Sequence, residues 1–117
     1  MYKKFKFDYD AENDSLFIFD PKTKSNSSIE LDDLVIDFNS KKQVSAIEFL
    51  NASAFFKGLV GEPAKTFLRQ LQDCKIDIMP KKNFLLIKLL LLFKKEKKIE
   101  TPIMVPTIKK QSPALKY

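Results

Sequence analysis

The stretch from Leu34 to Ser53, LVIDFNSKKQVSAIEFLNAS, constrains this chain more than any other. Leu34, Ile36 and Phe38 recur at every second position with Asp37 between two of them, the pattern of a strand with one buried face. Asn39, Ser40, Lys41 and Lys42 then make a polar turn, after which Val44 and Ala46 share one parity while Ile47 and Phe49 take the other. That change requires either a bulge near Ala46 or a strand buried on both faces. Glu48, between two core positions, reads as an outward-facing strand residue, a partner for a lysine, or a functional acid; the solvated strand position is the simplest. The hairpin therefore supplies an apolar sheet face that the remaining elements must cover.

Most of the chain continues this period of two. Phe5, Phe7 and Tyr9 alternate with Lys4, Lys6 and Asp8, an acidic turn follows, and Leu16 to Phe19 form a short returning strand. Asp10, Asn13, Asp14 and Ser15 suit that turn because their short polar side chains hydrogen-bond nearby backbone. Ile29 and Leu31 restart the alternation, and the segment to Phe38 is either one strand or two pieces interrupted at Asp32 and Asp33. Past Leu50 the period changes. Asn51 or Ser53 can cap a helix in which Ala52, Phe55, Phe56, Leu59 and Val60 share a face, with Gly58 keeping it short. Gly61, Glu62 and Pro63 break it, and Ala64, Phe67, Leu68 and Leu71 form the stripe of a second helix.

Cys74, Ile76 and Ile78 return to strand periodicity before a turn at Pro80 to Asn83. FLLIKLLLLF, residues 84–93, suits a buried helix by propensity, yet polar turns frame it and Ile99, Thr101, Ile103 and Val105 follow at period two; a strand is expected. Pro102 and Pro106 put the last strand at an edge, where a missing donor is tolerated. The expected fold class is α+β: an antiparallel four-stranded meander, two short helices, then a three-stranded antiparallel meander, about seven strands in one domain over residues 1–110, with 111–117 a flexible tail. Its core is expected to include Phe7, Leu16, Ile18, Ile36, Phe38, Ile47, Phe49, Phe56, Phe67, Leu68, Leu71, Ile76 and Leu90.

Charge divides unevenly along the chain. Residues 1–60 hold eight Lys and ten Asp or Glu, whereas residues 61–117 hold thirteen Lys or Arg and five Asp or Glu, so the net +6 belongs to the second half. Only Arg69 is an arginine, which nearly removes the forked contacts used in base readout. With no histidine, the usual general base and transition-metal ligand is missing, so no enzyme activity, cofactor or metal is expected. Asp8, Asp10, Glu12 and Asp14 suggest a calcium loop, but its sixth and twelfth positions hold Asn13 and Phe19 instead of glycine and glutamate, and an acidic hairpin turn explains them. The lone Cys74 cannot form an intrachain disulfide, the N-terminus lacks the apolar core of a signal peptide, and the longest apolar run is too short for a membrane helix. A cytoplasmic protein without membrane contact is expected.

Two stretches carry a resemblance. Tyr9, Asp10, Glu12, Asp14, Leu16, Phe17 and Ile18 are similar to a Y-D-x-E-x-D-x-L-[YF]-I run; Ile36, Asp37, Val44, Ile47, Glu48, Phe49, Leu50, Ala52 and Ser53 resemble a following I-x-D…V-x-x-I-E-[IF]-L-x-A-S run. The pair, in that order and over about the first 55 residues, resembles the family called domain of unknown function 2283, small prokaryotic proteins. The chain has Ala46 where that family usually has glycine and Asn51 where it usually has aspartate. The resemblance implies a strand meander leading into a helix, and an antitoxin-like, partner-binding role for members found beside small toxin genes.

Two functional readings follow. The leading one is a protein-interaction or self-association module, a homodimer for instance, using Leu85, Ile87, Leu89 and Leu91 of the leucine-rich strand. The alternative is a sequence-independent nucleic-acid binder using the turn lysines Lys81, Lys82, Lys94, Lys95, Lys97 and Lys98.

Overall fold

Residues 1–60 and 64–106 are described in a computed structural model of the chain. Five strands, two α-helices and three more strands follow in order among the described residues: β1 (Lys3–Asp10), β2 (Ser15–Phe19), β3 (Ser27–Leu31), β4 (Leu34–Phe38), β5 (Val44–Phe49), α1 (Ala52–Val60), α2 (Ala64–Leu68), β6 (Leu71–Pro80), β7 (Phe84–Phe93) and β8 (Lys98–Pro106). All pair antiparallel in one sheet of order β3-β4-β5-β2-β1-β6-β7-β8. The α+β class holds, but the expected count of seven strands becomes eight because the chain reverses at Asp32 and Asp33. Asp32 has φ 53°, a left-handed conformation that aspartate tolerates better than most residues.

The first unit is not the expected four-stranded meander. β5, rather than β3, pairs with β2, through Leu16↔Phe49 and Ile18↔Ile47. The physical reason is in the strands themselves: β3, SSIEL, is exposed at four of its five positions and occupies the edge, while β5 is buried on both faces as far as Ala46 and lies inside. Pairing shifts register where Asp37 faces Ala46 and Phe38 faces Val44, which leaves Ser45 as the extra residue of a bulge and reconciles the two parities in the sequence.

The second unit is the expected β6-β7-β8 meander, with β7 a strand paired along its whole length and β8 at the edge. The two units meet on β1. Lys3, Lys4 and Phe5 pair with β6, whereas Lys6 to Asp10 pair with β2, so a single strand changes partners halfway along.

One core runs through both units. It includes Phe5, Leu16, Ile18, Ile36, Ile47, Phe49, Cys74, Ile76, Ile87, Leu89, Leu91, Ile103 and Val105 from the sheet, and Ala52, Phe56, Ala64, Phe67 and Leu68 from the helices. The rings of Phe56 and Phe49 pack tilted with centroids 5.3 Å apart, and those of Phe67 and Phe93 with centroids 4.1 Å apart. The helical stripe is narrower than the sequence suggests, since Phe55 and Leu59 are 40% and 45% exposed. Leu71 is buried, but as the first residue of β6 rather than the end of α2. Phe7 and Phe38 are only partly buried, and Leu90 lies on the opposite face of β7 from the core. The Gly61–Pro63 break and the tail at 111–117 lie outside the described residues. No helix among the described residues is long and apolar enough to cross a membrane.

Candidate functional site

Tyr9, Asp14, Ala52 and Ser53, from the two motif-like stretches, meet in one structural knot. Asp14, at φ 54° in the β1–β2 turn, turns its carboxylate to the start of α1 and accepts the Ser53 hydroxyl at 2.6 Å, the Ser53 amide at 3.0 Å and the Tyr9 hydroxyl at 2.7 Å. Its own carbonyl accepts the Ala52 amide. Asp14 therefore caps α1 from a distant turn, in place of the local caps Asn51 and Ser53 expected from sequence. Burial opposes its ionisation, but the bonds from Ser53 and Tyr9 and the nearby Lys65 charge outweigh that and lower its pKa. Burial and the bond to Asp14 push the Tyr9 hydroxyl up.

Of the other polar motif residues, all but the Glu12 side chain are engaged outside that knot. Asp10 accepts the amides of Glu12 and Asn13 and the Asn13 side chain, which closes the turn; the Asn13 side chain is the main cause of its lowered pKa. Glu48 accepts the Ser15 hydroxyl at 3.2 Å, Asp37 accepts Ser25, Ile47 and Ala52 are core, and Glu12 is exposed. Cys74 is fully buried, and that burial raises its thiol to about 12.

The second-half lysines divide between two ends of the sheet. Lys81 and Lys82 sit in the β6–β7 turn, while Lys94, Lys95, Lys97 and Lys98 sit at the β7–β8 turn. Ten residues of β7 separate them, about 30 Å at strand rise, because consecutive hairpin turns fall at opposite ends.

Ile87, Leu89 and Leu91, read from sequence as partner contacts, are 0% exposed and face the core, and Leu85 packs partly against it. The opposite parity carries the exposed apolar surface. Strand register places Leu86 between Met79 and Met104, Lys88 between Asp77 and Pro102, Leu90 between Lys75 and Glu100, and Leu92 between Asp73 and Lys98. Leu86, Leu90 and Leu92 are half-buried and Met104 is 61% exposed. The Tyr2 hydroxyl bonds Glu100, the main reason its pKa rises to about 12, and the N-terminal amine pairs with Asp77 at 2.7 Å. Leu86, Leu90 and Leu92 escaped the sequence reading because a strand apolar on both parities does not say which parity is covered.

At the β6–β7 turn end, a cleft of about 600 Å³ opens between the two units. Lys3, Lys22, Lys41 and Lys42 line it, together with apolar residues from both units. These four lysines come from the acidic half of the sequence, where nothing but topology brings them together.

The model of the family described as a protein of unknown function, DUF2283, matches residues 6–53, so the resemblance read from Tyr9 to Ser53 stands for that segment. An uncharacterised protein of Methanocaldococcus jannaschii is 47% identical over 53 residues, 45% of this chain and 46% of that protein. A Methanosarcina mazei protein named as a hypoxanthine phosphoribosyltransferase is 47% identical over 51 residues, 44% of this chain and 42% of that protein. The match thus spans less than half the length of either curated relative. No solved structure matches the chain.

Proposed function

We propose, from the premise that residues 6–53 form a segment of this uncharacterised family, that the protein is a non-catalytic cytoplasmic module that pairs with a second copy of itself through the outer face of β6, β7 and β8. The observation that carries this reading is the arrangement of charge around the leucine column. A two-fold axis lying along β7 between two such faces would set β6 of one copy over β8 of the other, row by row. Leu86, Leu90 and Leu92 would each meet their own counterparts. Lys75 would then face Glu100, Asp73 would face Lys98, and Met79 would face Met104, each twice over. Lys88 would meet its own copy, a like-charge contact that weakens the pairing, since Asp77 beside it is already paired with the N-terminal amine.

The patch is small. Three strands about 4.8 Å apart and about 30 Å long offer roughly 900 Å² in total over both copies, below the usual size of a stable interface. The dimer is therefore expected to dissociate on dilution. The absence of catalysis is supported by the lack of histidine and by the use of Asp10, Asp14 and Ser53 within the turn and cap. The segment shared with the Methanosarcina relative uses Asp10, Asp14 and Ser53 to hold its turn and cap, which leaves those side chains unavailable for transferase chemistry. An antitoxin-like role would use the same outer face for a different partner.

Light scattering across concentration tests the pairing. The unaltered protein should approach twice its monomer mass as concentration rises, and Leu90→Asp should stay monomeric with an unchanged circular dichroism spectrum. Lys75→Glu should weaken the dimer, and adding Glu100→Lys to it should restore association, because the reversed charges face each other again. A monomer at every concentration, or a double variant no better than Lys75→Glu alone, would sink the reading.

A further inference from the structure

We propose that the cleft between the two units binds a small molecule carrying a phosphate or similar compact anionic group on an apolar body. The cleft has the volume of an ordinary small-ligand site, about 600 Å³. Its cations come from separate parts of the chain: Lys3 from β1, Lys22 from the β2–β3 loop, and Lys41 and Lys42 from the β4–β5 turn. Two anions share the cleft, and both are already neutralised. Asp20, buried, accepts Lys3 Nζ at 2.7 Å, the contact that most lowers its pKa, and Asp77 pairs with the N-terminal amine. Among the described residues, Lys22, Lys41 and Lys42 have no ion-pair partner. The cleft therefore carries uncompensated positive charge, for which a compact anion is the complement.

The loops that carry these lysines are latched to one another. Buried Asn39 accepts the amides of Lys41 and Gln43 at 2.9 Å each, and its side-chain nitrogen donates to Thr23 in the neighbouring loop and to Gln43. Lys22 and Lys41 are thus held on a fixed frame, which lowers the ordering cost of binding. Ile78, Pro80 and Leu85 supply the accessible apolar wall for the ligand's body, backed by the buried Phe5, Val44 and Ile76.

A small ligand fits this surface better than a nucleic-acid strand. Lys81 and Lys82 add positive charge at the cleft's own end of the sheet. The lysines at 94–98, however, lie at the other end of β7, and the acidic turns at Asp10 to Asp14 and at Asp32 and Asp33 lie at that same far end, so the basic surface stays local to the cleft instead of running along the molecule.

Titration of the ¹⁵N-labelled full chain with adenosine monophosphate and with inorganic phosphate tests the inference. Either probe at millimolar concentration should shift the amides of Lys22, Thr23 and Lys41 to Val44, the nucleotide more strongly. Replacing Lys22, Lys41 and Lys42 together by Gln should weaken nucleotide binding by about tenfold or more, while Lys94→Gln with Lys98→Gln should leave it unchanged. All these lysines are exposed, so both variants should keep the parent's melting temperature. The proposal is overturned if neither probe shifts these amides, if both variants weaken binding equally, or if only single-stranded DNA binds and its shifts reach both lysine-rich ends.

Discussion

Asp14 shows how much a single residue organises here. Its carboxylate joins the β1–β2 turn to α1, thirty-nine positions along the chain, and satisfies helix amides that have no partner within the helix. Asp14→Ala should cost about 1–2 kcal/mol, the range of a lost cap, read from chemical denaturation. Because folding lowers the Asp14 pKa, its contribution is complete above the unfolded carboxylate value of about 3.9 and disappears as pH falls through the lower folded value. Asp14→Asn should therefore lose less stability than the parent between neutral pH and pH about 3. An equal loss in both proteins would remove Asp14 as a source of acid sensitivity. The turn was legible in the sequence because Asp and Asn favour turns unaided. The cap was not, since a side chain reaching from one hairpin to a distant helix leaves no spacing signature.

At the scale of elements, local pattern decided type and burial decided arrangement. β1, β4, β6 and β8 alternate clearly enough to be read directly, and β7 is a strand despite its leucines because β6 and β8 pair with both of its edges. The Ile29–Phe38 ambiguity resolved into two strands because two aspartates in sequence suit a tight reversal better than a ladder. In α1, Gly58 runs within the helix instead of ending it, and a Cβ placed there would meet nothing within 4 Å. Gly58→Ala should stabilise the protein by about 0.5–1 kcal/mol through the restricted unfolded chain and better helix propensity. A lower thermal midpoint in that variant would mean the helix is broken there.

For the molecule as a whole, the decisive feature is the change of partners along β1. Phe5, 3% exposed, stands opposite Cys74 at the last β1–β6 pair and belongs to the common core. Phe5→Ala should cost about 3–5 kcal/mol by cavity formation. It should also let the amides of β6 to β8 exchange with solvent faster than those of β2, β4 and β5, because the pairing between the units is only three residues long. Uniform acceleration would show that the two units open as one.

The sequence by itself determined the strands, the helical segment between them, the edge position of β8 and the family segment, because each is written in local periodicity, turn residues and proline. Tertiary structure alone decided the neighbour of β2, the covered parity of β7, the distant cap on α1 and the gathering of Lys3, Lys22, Lys41 and Lys42 around one cleft. Those outcomes depend on which apolar faces cover one another, and burial is a property of the assembled chain that no local window contains.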